Sequence, residues 1–363
     1  MKMLALLSDA YGSDGGIARY NRDLLTALTS SDGARRVVVL PRHGHAGPSD
    51  LPAGVWQLKP RGKLGYVPAA MRAAMRNGPF DAVFCGHLHL APLAAIVTRL
   101  IKAPLWLQLH GQEAKGPLTR AQMWAVKQAA LVTAVSRHTR QHFLRLAPIE
   151  PHRVRVLPNT VANSFMPGSA PGYLVERHGL HGKQILLTVG RLAADERGKG
   201  HDRVIRALPA LAAGNPDLVY LVVGDGGDRA RLEELARQAG CAGHVRFTGR
   251  VAAAELADYY RLATVFVMPS NQEGFGIVFL EAAASGLTPI GGNCDGSSDA
   301  LADGVIGIAI DPESQDQLIA AIRRVLSGDR RDPAQVQRFR FDNFARHLGA
   351  LVDAHLGSGP AAA

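Results

Sequence analysis

The stretch Glu273-Gly-Phe-Gly-Ile-Val-Phe-Leu-Glu281 combines residue types and spacing that can do chemistry. If the segment is helical, its two carboxylates stand about two turns apart, at roughly 3.6 residues per turn. The first precedes a Gly-Phe-Gly turn and the second falls inside an apolar run that reads as helix. The backbone N–H groups of Phe275, Gly276 and Ile277 would then open the helix, where unpaired donors and the positive end of the dipole favour an anion. A carboxylate just ahead of that start can accept hydrogen bonds from sugar hydroxyls, and the second can reach a ribose. Two unrelated surface glutamates would give the same letters. The apolar residues between them, and the Ala-Ala-Ala-Ser-Gly that follows Glu281, argue instead for a closely packed face.

Elements must carry these residues, and the pattern supplies them. Short apolar runs alternate with amphipathic stretches along the whole chain, as βαβ units do. In the first half the expected strands are Met3–Leu7, Arg36–Leu40, Ala82–Cys85, Leu105–Leu109, Leu131–Ala134 and Val154–Leu157. The expected helices are Ile17–Leu28, Gly65–Asn77, Leu90–Leu100, Ala121–Ala129 and Ser136–Leu146, the last capped by Ser136. A second series starts at Gln184–Val189 and runs through His201–Ala212, Leu218–Val223, Ala230–Ala239, Val245–Thr248, Ala253–Leu262, Val265–Met268 and Gly276–Ser285. Thr288–Gly291 and Gly307–Ile310 close it. The proline-bearing stretch Pro158–Pro171 is the expected linker and hinge. The domains expected are 1–165 for the acceptor and 166–335 for the donor, with a helix and disordered tail over 336–363. The fold class is α/β, two doubly wound Rossmann-like domains, which places a cleft at the carboxyl ends of two parallel sheets.

The chain has 363 residues and a formal net charge of +10. Residues 1–180 carry 22 Lys and Arg against 9 Asp and Glu, a net +13, and the remainder carries −3. Such asymmetry points to nucleic acid, an anionic membrane surface or a phosphate-bearing acceptor. Nucleic acid would want aromatic residues among the arginines, and they are scarce there. No apolar run approaches the roughly 20 residues of a membrane span, and Met1–Ser8 reads as a buried strand rather than a signal peptide. Cys85, Cys241 and Cys294 are odd in number and widely spaced, which suits a reducing cytoplasm and neither disulfides nor zinc. His87 and His89 have ligand-like spacing but no third partner, and read as packing or site-lining residues.

In the form PSNQEGFGIVFLEAAASG, the two-glutamate segment resembles family 4 of the retaining glycosyltransferases, which have the GT-B fold. Gly190-Arg191-Leu192, Lys199-Gly200-His201-Asp202, Val223-Gly-Asp-Gly226 and Phe247-Thr-Gly-Arg-Val251 follow in the family's order, and the resemblance covers residues 1–330. It implies that Arg191 and Lys199 bind the donor diphosphate, two fixed cations facing two phosphates. It implies that Glu273 orients the donor sugar, that Glu281 meets the ribose, and that the backbone near Arg250 and Val251 meets the base. Gly15-Gly16 resembles the glycine loop that approaches donor phosphate and acceptor. His110 stands where the family has a histidine beside the transferred sugar, with Glu113 a weaker candidate. Gly291-Gly-Asn-Cys-Asp-Gly-Ser-Ser departs from the commoner Pro-Glu form and is similar to a bacterial subset of exopolysaccharide and lipid-linked oligosaccharide assembly. Asp295 and Ser297 within it read as loop-capping residues.

The expected reaction is metal-independent transfer with retention, from a GDP- or UDP-sugar, GDP-mannose first. The acceptor is a saccharide or a polyprenyl-diphosphate-linked one, at a cytoplasmic and peripherally membrane-bound site. No cofactor is expected, and no Asp-x-Asp pair occurs that could hold a metal on the donor. A nucleotide-sugar 2-epimerase shares the fold, but the glutamate spacing and the Arg191/Lys199 pair argue against it. A non-catalytic binding module would not need every one of these groups. A nicotinamide dehydrogenase lacks its glycine fingerprint after either first strand.

Overall fold

The computed structural model describes residues 1–12, 15–30, 35–44, 51–111, 113 and 116–357. The chain forms two compact units, one of Met1–Thr160 with Phe341–Ala363, the other of Val161–Arg340. The C-terminal helix, set apart in the sequence reading, belongs to the first unit.

In the first unit β1 (Lys2–Leu7) leads to α1 (Gly16–Ser30), β2 (Arg36–Pro41), β3 (Val55–Gln57), α2 (Tyr66–Arg76), β4 (Ala82–Cys85) and α3 (Ala91–Ile101). Then come β5 (Leu105–Leu109), α4 (Arg120–Gln128), β6 (Ala129–Ala134), α5 (Arg137–Leu146) and β7 (Val154–Val156). The seven strands are parallel in the order β3-β2-β1-β4-β5-β6-β7. Strands covered on both faces read as unbroken apolar runs, and β1, β4 and β5 are buried almost throughout. Ser136 caps α5 as expected, its Oγ accepting from Thr139 N at 3.0 Å. The expected helix Ala121–Ala129 ends one residue earlier, because Ala129 already pairs with β5.

The second unit runs α6 (Gly172–His178), β8 (Gln184–Val189), α7 (His201–Ala212), β9 (Leu218–Val223), α8 (Arg229–Gln238), β10 (Val245–Gly249) and α9 (Leu256–Leu262). It continues with β11 (Val265–Met268), α10 (Ile277–Ala284), β12 (Pro289–Gly292), α11 (Ser297–Ala300), β13 (Ile308–Ile310) and α12 (Gln315–Leu326). Its parallel order is β10-β9-β8-β11-β12-β13. In both sheets the strand order reverses once, between β1 and β4 and between β8 and β11. These switch points are where doubly wound sheets bind ligands. The chain then returns to the first unit as α13 (Phe341–Leu356).

Four elements escaped the sequence reading: β3, α6, α11 and α12. The first two are only three and seven residues long. For α12 the signal was present: Leu318, Ala321, Ile322 and Val325 bury one face at helical spacing, behind a Ser314 cap.

Candidate active site

In the second unit the loops after β8 and β11 flank the switch point, and each lays its backbone against the other. Asn271 N donates to Gly198 O at 2.9 Å. Gly200 stands so near Pro269 that a Cβ would come within 2.4 Å of its carbonyl. This contact brings Lys199 to the turn carrying Glu273, with Nζ 3.8 Å from Oε1. The Arg191 loop is fixed from its other side by β9. Gly190 N bonds Val223 O at 2.9 Å and Leu192 N bonds Asp225 O at 3.0 Å. A Cβ on Gly224 would fall 1.9 Å from Gly190 O, and one on Gly226 would fall 2.2 Å from Leu192 O. The glycine turn after β9 is therefore required by the loop beside it.

Arg191 and Lys199 share one partner. Glu196 accepts from the Arg191 guanidinium and lies 3.1 Å from Lys199 Nζ. Sequence reasoning missed this residue, although the doublet Asp195-Glu196 amid Arg191, Arg197 and Lys199 was a visible sign. Beyond it Asp228, nearly buried, takes Arg197 at 3.0 Å and Arg231 at 2.6 Å. Its hydrogen bond from Arg231 is the first cause holding this carboxyl below the usual range.

Helix α10 starts at Ile277 behind Gly276, which is left-handed at φ 86°. Glu273 therefore lies in the turn before the helix, so the helical relation to Glu281 does not extend over the whole segment. The first N–H groups of any helix have no partner within it, and here they begin four residues after Glu273. Phe275 is buried against Phe339. Glu281 is buried and accepts from Tyr260 Oη at 2.7 Å. Arg250 is exposed and Val251 half-buried after β10, two strands away from β8. The structure thus gathers Arg191, Lys199 and Glu273 and leaves Arg250 and Val251 apart from that group.

The first unit places His110 at the end of β5. Its Nε2 lies 3.0 Å from Gly86 O. A carbonyl only accepts, so in the neutral ring Nε2 carries the proton and Nδ1 remains an acceptor. Glu113 accepts from His110 N at 2.5 Å. Burial lowers the His110 pKa against the opposing effects of Glu113 and the Gly86 carbonyl, favouring the neutral ring. Tyr20 packs edge-on against it, 5.2 Å between centroids. Tyr20 is held from behind by a buried chain that sequence reasoning did not find. Its Oη donates to Gln108 Oε1 at 2.9 Å, and Thr133 bonds the same oxygen while accepting from Trp106 Nε1 at 2.7 Å.

His87 and His89 stack at 4.7 Å, and His89 N donates to His87 Nδ1 at 3.2 Å. Burial pushes His87 down to about 4. Among the described residues no group of three or more His, Cys, Asp or Glu could hold a metal. At Gly15 and Gly16 a Cβ would meet no described atom within 4 Å, so packing among the described residues does not demand glycine there.

Residues 175–340 match the family model described as Glycosyl transferases group 1, and residues 14–164 match Glycosyltransferase Family 4. The GDP-mannose-dependent alpha-(1-6)-phosphatidylinositol monomannoside mannosyltransferase of Mycolicibacterium smegmatis is 31% identical over 257 residues, 68% of this chain and 66% of that enzyme. Its counterpart of the same name in Mycobacterium tuberculosis is 30% identical over 275 residues, 72% of this chain and 70% of that enzyme. Among solved structures, sucrose-phosphate synthase from Thermosynechococcus elongatus superposes with a TM-score of 0.76 at 21% identity, covering 99% of this chain and 100% of that one. Anabaena HepE in complex with UDP and glucose gives 0.74 at 18%, covering 98% and 100%. At those identities the two structures speak for the fold alone. Two parallel-sheet units, the family models over both and the mycobacterial relatives agree: this chain belongs to glycosyltransferase family 4 and has the GT-B fold.

Proposed function

We propose that the protein transfers a hexosyl residue, mannosyl first, from a nucleotide-diphosphate sugar to a saccharide or lipid-linked saccharide, with retention and without a metal. The observation that supports this best is the meeting of Arg191, Lys199 and Glu273 at the second sheet's switch point, just ahead of the α10 start. GDP-mannose is favoured because the mycobacterial relatives carry that donor in their names.

In this reading the donor diphosphate replaces Glu196 as the partner of Arg191 and Lys199. The bond from the anomeric carbon to the phosphate oxygen breaks as the acceptor oxygen bonds to the same face of that carbon. The acceptor proton passes to the departing phosphate oxygen, and the two cations take up the charge that develops there. Glu273 orients the sugar hydroxyls and Glu281 the ribose. Neutral His110, with Nδ1 as acceptor, serves the transferred sugar. The cations neutralise the leaving group, which makes a bound metal unnecessary.

Arg191→Ala and Lys199→Ala test the reading, read by release of GDP from GDP-mannose in the presence of acceptor. Each should lower kcat by about 100-fold or more, the usual effect of removing one preorganised group facing developing charge. Activity within twofold of wild type in either variant refutes the assignment. Excess EDTA should leave the rate unchanged, and a loss restored by Mn or Mg would overturn metal independence. A thermal-shift panel of GDP, UDP and their sugars reads out the donor.

A further inference from the structure

The segment that departs from the commoner family form holds a buried carboxylate. Asp295 is 3% exposed and lies between β12 and α11. One oxygen, Oδ1, accepts from Ser297 N at 2.9 Å, which is the loop cap read from the sequence. The other, Oδ2, turns toward the β11 loop. It accepts from Ser270 Oγ at 3.0 Å and from Glu273 N at 2.6 Å. Ser270 Oγ in turn accepts from Gln272 N at 3.2 Å. Gly296 N closes the contact by donating to Glu273 O at 3.0 Å. Both backbone polar groups of Glu273 are thus held by residues 295 and 296. The two loops meet so closely that a Cβ on Gly296 would fall 2.0 Å from Gly274 O.

We propose that Asp295 is a positioning residue for Glu273, fixing the backbone from which that carboxylate reaches the donor sugar. The inference rests on the proposed role of Glu273. A carboxylate suits the task because it only accepts, and three donors converge on it. An amide of the same shape would turn its NH₂ toward one of them. Among the described residues the hydrogen bonds of Asp295 go to Ser270, Glu273 and Ser297, so its effect on catalysis runs through Glu273. A misplacement of about 1 Å at a reacting centre can cost on the order of 100-fold in rate.

A double-mutant cycle with GDP-mannose, GDP and hydrogen exchange tests it. Asp295→Asn should lower kcat at least tenfold while the Kd of GDP stays within twofold. In a Glu273→Gln background the same substitution should have almost no further effect, because coupled groups are not additive. Exchange of the 270–276 peptide should accelerate in Asp295→Asn while the α7 peptide is unchanged. Ser270→Ala, which removes one donor and leaves the carboxylate, should move both readouts in the same direction by less. Full additivity in the cycle, or unaltered exchange at 270–276, overturns the inference. Glu273→Gln at wild-type activity would instead sink the functional reading, and the exchange result then decides the clamp alone.

Discussion

Glu196 holds both Arg191 and Lys199, and in the proposed reading the donor diphosphate takes the place of its carboxylate. The pair with Arg191 is largely solvent-facing, the guanidinium side chain being 78% exposed, so its worth is that of a surface ion pair, about 0.2–1 kcal/mol. Glu196→Gln should therefore tighten GDP binding by up to about fivefold, measured calorimetrically at fixed ionic strength. Unchanged or weaker binding would mean that Glu196 organises the cations rather than competing for them. One buried imidazole, His201, and one half-buried, His87, set a pH dependence of stability. Burial first, then Lys199, pushes His201 down to about 4 from an ordinary 6.5, and burial does the same to His87. Between pH 6.5 and 4 the unfolded chain binds protons at these rings that the folded chain refuses, so stability rises with pH across that window. Going from pH 7 to 5 should lower the urea midpoint, with His201 alone accounting for on the order of 2 kcal/mol. His201→Gln should flatten that slope. Glu273 could be read from its spacing to Glu281, and Arg191 and Lys199 from the family resemblance. Glu196 left the sign of an acidic doublet among cations, whereas Tyr20 and Asp228 left none, because only loop and strand packing brings them to their partners.

At the level of elements, α2 shows what periodicity resolves and what it leaves open. Residues 61–76 bring Leu64, Tyr66, Val67 and Met71 together in sequence with the cations Arg61, Lys63, Arg72 and Arg76, a combination that suits an anionic interface. The structure divides them. Tyr66 is buried, its Oη donating to Leu40 O at 2.8 Å and Leu7 O at 3.2 Å, and Met71 packs on the core. Both belong to the inward face with Ala70, Ala73 and Ala74. The exposed apolar side chains are Leu64, Val67 and Met75, beside the four exposed cations. No described helix is long and apolar enough to cross a membrane. We expect salt-sensitive sedimentation with anionic but not neutral vesicles. Each basic residue near such a surface is worth about 1 kcal/mol, so reversing the four to Glu should weaken binding by about 100-fold or more. Binding that survives the reversal would place the lipid-facing surface elsewhere. Strand order itself was not legible, because an alternation of strands and helices leaves open which strand lies next to which. The switch points, and with them the pairing of the β8 and β11 loops, appear only once the sheets are assembled.

For the whole molecule, the decisive feature is that the chain leaves the first unit near residue 160 and re-enters it near 341. The returning helix α13 buries Phe344, Leu348, Leu351, Val352 and Leu356 and packs against α1 and β6. Phe344 meets Tyr20 edge-on at 6.1 Å, and Tyr20 is the residue that backs His110. Five such side chains, at about 1.5–3 kcal/mol each, amount to on the order of 10 kcal/mol, comparable with the stability of an entire domain. A chain ended at Arg340 should lose transfer and the folding transition of its first unit. It should keep GDP binding in the second unit, whose own core is complete without α13. Loss of both together in calorimetry and titration would refute this independence. Sequence reasoning identified the helical stretch near the C-terminus, but which unit it joins depends on long-range packing.

The same return inverts the order of assembly during synthesis. Domains ordinarily finish folding in the order in which they are made. Here the unit that begins first is completed last, after all 180 residues of the other have been translated. A chain released at the second crossing would have its second unit whole and, in the proposed reading, would bind a nucleotide sugar without transferring it, with the support for His110 still untranslated.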